Sequence, residues 1–118
     1  MAKRVTCTIE RYAGYVDFRD PLPLYVCLEL EDAILSVQGK TNQTEIDVAV
    51  LPVVIKAVEE WHLKNIPDRV DANNFPGTPR KDSSILLAWL IGEMMKVYSG
   101  NEATEDPNTQ GPAPTPTP

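Results

Sequence analysis

Between Ile85 and Ile91 the chain runs Ile-Leu-Leu-Ala-Trp-Leu-Ile, with no polar side chain at any position. Thr78-Pro79 ahead of it reads as a cap followed by a first-turn proline. Asp82 suits the positive end of a helix dipole, and Ser99-Gly100 reads as a stop. The segment is therefore expected to form the last of three helices, from about Pro79 to Tyr98. A helix whose middle has no polar face must be covered on most sides. In a chain of 118 residues some of that cover is expected from another chain. The run is far shorter than the roughly 18 residues that cross a bilayer, so no membrane partner is expected.

A second helix carries the clearest periodicity. Val50, Val53, Val54, Ala57, Val58 and Trp61 fall at i, i+3, i+4, i+7, i+8 and i+11, one continuous apolar stripe. Lys56, Glu59, Glu60 and Lys64 take the other face, with Glu60 and Lys64 in the favourable i, i+4 order. Pro52 lacks a backbone donor, so it either starts this helix or kinks a longer one beginning near Thr44. Pro67 is expected to end it. Residues 65–79, with Pro67, Pro76, Gly77 and Pro79, read as a long irregular connection.

At the other end, Val5, Cys7 and Ile9 alternate with Thr6, Thr8 and Glu10, a half-buried strand pattern. Ala13-Gly14 marks a turn, and Tyr15-Val16-Asp17-Phe18 resumes the alternation, which gives an N-terminal β-hairpin. Asp20-Pro21 reads as a cap and first-turn proline. Leu24 to Leu30 suits a strand by alternation and a helix by the spacing of Cys27, Leu30, Ile34 and Val37; the helix is the preferred reading. The fold class is α+β, mainly α-helical: a hairpin followed by about three helices.

Residues 1–100 form one small domain, and 101–118 a separate tail. The tail, Asn-Glu-Ala-Thr-Glu-Asp-Pro-Asn-Thr-Gln-Gly-Pro-Ala-Pro-Thr-Pro-Thr-Pro, offers nothing larger and more apolar than alanine. It cannot bury enough surface to offset its ordering entropy, so a disordered, polyproline-like ending is expected. It lacks Pro-x-x-P spacing. All 11 Lys and Arg lie before it with 14 of the 17 acids, so the net charge of -6 divides into -3 for the domain and -3 for the tail. The acidic balance is the wrong sign for a nucleic-acid footprint. Met1 to Glu10 has no long apolar core and does not read as a secretory signal. Cys7 and Cys27 lack paired-motif spacing and read as free thiols rather than a disulfide.

Chemistry-bearing constellations are sparse. His62 is the single histidine; Glu59 three residues earlier would share its side of a helix and could offer two metal ligands. The di-metal use of that spacing requires a second copy and further carboxylates. The carboxylates Asp17 with Asp20, and Glu29 with Glu31 and Asp32, read as solvated surface charge rather than an acid/base pair. No phosphate or dinucleotide motif occurs, and Cys27 has no histidine near it in sequence. No catalytic, cofactor or metal residue is assigned, and a non-enzymatic protein is expected. Trp61, Trp89, Met94 and Tyr98 are the candidate partner-binding residues, as members of an adaptable apolar surface.

Several segments, taken in order, carry a resemblance. They are Phe18-Arg19-Asp20-Pro21-Leu22, Leu51-Pro52, Val58-Glu59-Glu60-Trp61-His62-Leu63, Asn74-Phe75-Pro76-Gly77-Thr78-Pro79-Arg80 and Ala88-Trp89-Leu90-Ile91-Gly92-Glu93. Together, across roughly residues 15–98, the chain resembles the tail assembly chaperones of long-tailed bacteriophages. The resemblance implies a small non-enzymatic protein of the host bacterial cytoplasm, absent from the mature virion. It implies that the chain binds the tape measure protein, keeps it soluble and assists the tail tube protein to assemble, and that it forms a homo-oligomer. In many such phages a frameshift near the end of the gene also gives a longer product with an extra C-terminal domain, and the resemblance implies that the Pro/Thr ending is the place where such a product would diverge. The alternatives are a minor structural virion protein, such as a head–tail connector component, and a small regulatory, antitoxin-like binding protein.

Overall fold

The computed structural model describes residues 2–100; the tail expected over 101–118 lies outside them. β1 (Ala2–Cys7) and β2 (Gly14–Arg19) form the expected antiparallel hairpin, joined through a 3-10 turn at Glu10–Tyr12. Val5 faces Val16 and Arg4 faces Asp17 across the pair. Alternation then divides the sheet into two faces. Val16 and Phe18 point inward and are fully buried, while Tyr15, Asp17 and Arg19 point outward.

Two helices follow. α1 (Leu24–Ser36) confirms the helical reading of the ambiguous segment, although Pro23, not Asp20, holds the N-cap position. Its buried side is Val26, Leu30 and Ala33, offset from the expected Cys27–Leu30–Ile34–Val37 line. α2 (Gln43–Ala57) is the longer of the two options for Pro52, which sits inside it. The Asn42 side chain caps it by accepting from the Thr44 backbone N–H at 2.8 Å.

The expected extension of α2 through Trp61 is not what forms. The helix stops at Ala57, and Val58–Leu63 is β3, paired antiparallel to β2 to give a three-stranded sheet of order β1-β2-β3. The helical spacing of Val58 and Trp61 has another origin. Phe18 pairs with Val58 and Asp17 with Glu60, so Glu59 is an extra residue in a bulge. A bulge lets two residues oppose one, which stretches the inward spacing from two residues to three. Val58, Trp61 and Leu63 consequently all face the core, and Val58 and Trp61 imitate a helical pair. Arg19 helps fix the helix-to-strand change by donating through Nε to the Lys56 carbonyl at 3.0 Å.

After the irregular 64–79 connection comes α3 (Arg80–Ser99), ended by Gly100 at φ 78°; Pro79, rather than Thr78, takes its N-cap position. Leu86, Leu87, Leu90 and Met94 are buried on one side of α3. Coverage of the Ile85–Ile91 run is one-sided: Ile85 and Ala88 are exposed, Trp89 and Ile91 half-buried. One core joins the inner sheet face to the three helices, with Tyr12, Phe18, Leu30, Leu86, Leu90 and Met94 its largest enclosed side chains. Cys7 and Cys27 are free thiols. No helix among the described residues is long and apolar enough to cross a membrane.

Candidate functional site

Two surface features concentrate side chains that could act on something outside the chain. The first is the outer face of the sheet. Because β3 is a strand with a bulge at Glu59, Glu59 is left without a cross-strand partner and is not the acid set beside His62. Glu60 and His62 share a side, being two residues apart, and the register sets them opposite Asp17 and Tyr15. The acceptor and ring atoms of Asp17, Glu60 and His62 lie within 4.8 Å of one another. His62 Nε2 is 2.9 Å from Glu60 Oε1. The imidazole stacks on Tyr15 at 4.6 Å between ring centroids, with 29° between planes.

Arg4 closes this network from β1. Its guanidinium donates through Nε to Asp17 Oδ1 at 3.0 Å and through Nη2 to Oδ2 at 3.3 Å. It also lies 4.0 Å over the Tyr15 ring, a cation–π position. Both carboxylate oxygens of Asp17 are thus already engaged by a bidentate cation. Hydrogen bonding to Arg4 holds the Asp17 carboxyl below its ordinary value despite desolvation, and the same bond raises Arg4. The three residues could converge on a divalent ion only if Arg4 swung away. As it stands the arrangement is a satisfied charge and ring network that ties the three strands together on their wet side.

The second feature is apolar and lies on α1. Leu24, Leu28 and Leu35 are 72%, 54% and 64% exposed. They fall at i, i+4 and i+11, one side of the helix, opposite the buried Val26, Leu30 and Ala33. Tyr25 and Ile34 are also exposed on α1, and Val48 on α2. Beside this ridge runs an open groove of about 410 Å³ between α1 and α2, lined by residues including Leu28, Asp32, Ala33, Ser36, Ala49 and Pro52. Lys56 spans the two helices, its Nζ donating to Glu29 Oε1 at 2.7 Å.

The four sequence-derived candidates do not form one surface. Trp61 faces the core from β3 and stands 6.3 Å, edge-on, from Phe75. Met94 is fully enclosed in α3. Trp89 and Tyr98 are half-buried, and the Tyr98 hydroxyl donates to Glu31 Oε2 at 2.8 Å, joining α3 to α1. That bond and desolvation raise the Tyr98 phenol above its ordinary value. The exposed residues that sequence reasoning missed are Leu24, Leu28 and Leu35. Their i, i+4, i+11 spacing carries the signal, in competition with a second apolar line through Cys27 and Leu30 on the same segment.

Comparison with known proteins returned no match: no family model, no curated protein and no solved structure matches this chain.

Proposed function

We propose that this chain is a non-enzymatic binding protein of bacteriophage tail assembly, a chaperone that covers the apolar surface of the tape measure protein. In this reading it holds its client soluble in the host bacterial cytoplasm while the tail tube protein assembles around it. The observation that carries the reading is the exposed leucine ridge of α1, an apolar surface that the chain's own core does not use. Large contiguous apolar patches on small proteins mark interaction sites. The ordered segments from Phe18 to Glu93 that resemble tail assembly chaperones supply the identity of the client.

Binding is favoured over catalysis by the state of the titratable groups. His62 stands exposed beside Glu60, stacked on Tyr15, and the nearby Asp17 is taken by Arg4. The test is coexpression of the full chain with a tape measure protein from the same genome. The soluble fraction of the client should rise, and mass spectrometry of purified particles should lack the chain. An equally insoluble client refutes the proposal. Presence of the chain in particles at structural stoichiometry points instead to a connector component.

A further inference from the structure

Resting on the reading of the chain as a binding protein, we propose that the outward side of α1 docks an amphipathic helix whose apolar stripe is bordered by lysine or arginine. α1 is apolar on two opposite sides, with Val26, Leu30 and Ala33 inward and Leu24, Leu28 and Leu35 outward. The inward side satisfies the fold. The outward side has the spacing that meets a partner helix along its length. Its 13 residues span about 20 Å, room for roughly three turns of a partner. The adjacent groove, floored by the small Ala33 and Ala49, gives partner side chains a place to enter.

Charge selects the occupant. α1 carries Glu29, Glu31 and Asp32 and no Lys or Arg. On a helical projection Glu31 borders the leucine line on the side where it accepts from Tyr98 of α3, and Asp32 and Glu29 fall on the side toward α2. Glu31 and Asp32 are exposed. Glu29 is already paired with Lys56, but a second copy docked by the same face across a twofold axis would bring Glu31 and Asp32 against their own equivalents, with no cation on α1 to answer them. Like charges at an interface oppose association, and opposite charges steer and orient it. A partner helix with basic borders meets both the leucines and the acids.

The test uses the full chain and two fluorescently labelled synthetic helices of the same leucine stripe, one bordered by Lys and one by Glu, followed by anisotropy. The Lys-bordered helix should bind saturably, more weakly as salt rises, and the Glu-bordered one at least roughly tenfold more weakly. Leu28→Ser with Leu35→Ser should weaken binding of the Lys-bordered helix by roughly tenfold or more while leaving the helical circular dichroism unchanged. Glu31→Lys with Asp32→Lys should reverse the preference. Equal binding of both helices, unaltered binding by the serine variant, or a wild-type dimer that the serine variant dissolves each overturns the proposal. If the client stays soluble with the serine variant, the α1 surface is wrong and the chaperone reading stands. If the Lys-bordered helix binds through α1 but the client is never solubilised, the surface stands and the chaperone reading fails.

Discussion

Gly14 is the residue whose replacement tests the sheet most directly. It begins the central strand, paired to Cys7 on one side and Leu63 on the other. Its φ of 144° lies where only glycine sits without strain. A Cβ added there would stand 2.1 Å from the His62 carbonyl oxygen and 3.1 Å from Leu63 Cα, both backbone atoms that no rotamer change can move. Reaching the 3.0 Å that real Cβ contacts respect requires β2 and β3 to part by about 0.9 Å at this point. The backbone conformation alone costs about 1–3 kcal/mol. The opening also strains the Lys64 N–H to Ala13 carbonyl bond of 2.9 Å, worth about 1 kcal/mol net. Gly14→Ala should therefore destabilise by about 2–4 kcal/mol, which for a domain of this size lowers Tm by roughly 10–25 °C. Thermal unfolding followed by far-ultraviolet circular dichroism and by tryptophan fluorescence measures it. Trp61 lies on the strand that must move, so the fluorescence transition should fall with the backbone one. A Tm within about 3 °C of wild type would refute the pairing of β2 with β3 at this register.

Four further outcomes follow from individual side chains. Met94→Ala empties a fully enclosed site and should cost about 2–5 kcal/mol in a denaturant titration. Tyr12→Phe should be neutral or stabilise by about 1 kcal/mol, because the enclosed Tyr12 hydroxyl has no hydrogen-bond partner among the described residues. Asp17 has a lowered folded pKa, so its bond to Arg4 contributes stability above the ordinary value of 3.8 that is lost as pH falls through the lowered value. Asp17→Asn should remove that acid-side slope from a Tm-against-pH series. Burial raises the enclosed Cys7 thiol, whereas Cys27 is only partly covered, so a thiol reagent should modify one cysteine quickly and the other only on unfolding.

The hairpin was legible because Val5, Cys7, Val16 and Phe18 obey a strict period of two and a single glycine marks the end of the turn. α3 was legible because proline, a first-turn acid and Gly100 bracket its apolar run. β3 was not, and the cause lies in the bulge at Glu59: stretching the inward spacing of Val58 and Trp61 to three gave a strand the signature of a helix. The same misreading placed Glu59 beside His62, when the strand places Glu60 there and brings in Asp17 from β2 and, through it, Arg4 from β1. Those cross-strand neighbours depend on register, which no local spacing encodes. Trp61 and Met94 read in sequence as partner-binding candidates because large flexible or aromatic side chains serve surfaces and cores alike; which of the two applies is decided by packing.

The location of surplus apolar surface follows from how the helices are covered. α3 holds the most apolar run, yet the core takes Leu86, Leu87, Leu90 and Met94 from a single side of it. What remains there is Ile85, exposed, with Trp89 and Ile91 half-buried. α1 has the opposite economy. Its inward side needs only Val26, Leu30 and Ala33 to meet the core; Cys27 is partly covered, and Leu24, Tyr25, Leu28, Ile34 and Leu35 are left outside. Of the seven large apolar residues exposed in the described chain, five are on α1. Scattered single exposures need no explanation, whereas an ordered line does. Folding stability cannot be the reason for Leu24, Leu28 and Leu35, since they lie on the side turned from the core. Leucine presented to water at i, i+4 and i+11, with Glu31 and Asp32 exposed beside it, is the surface on which the proposed docking of a basic-bordered helix rests.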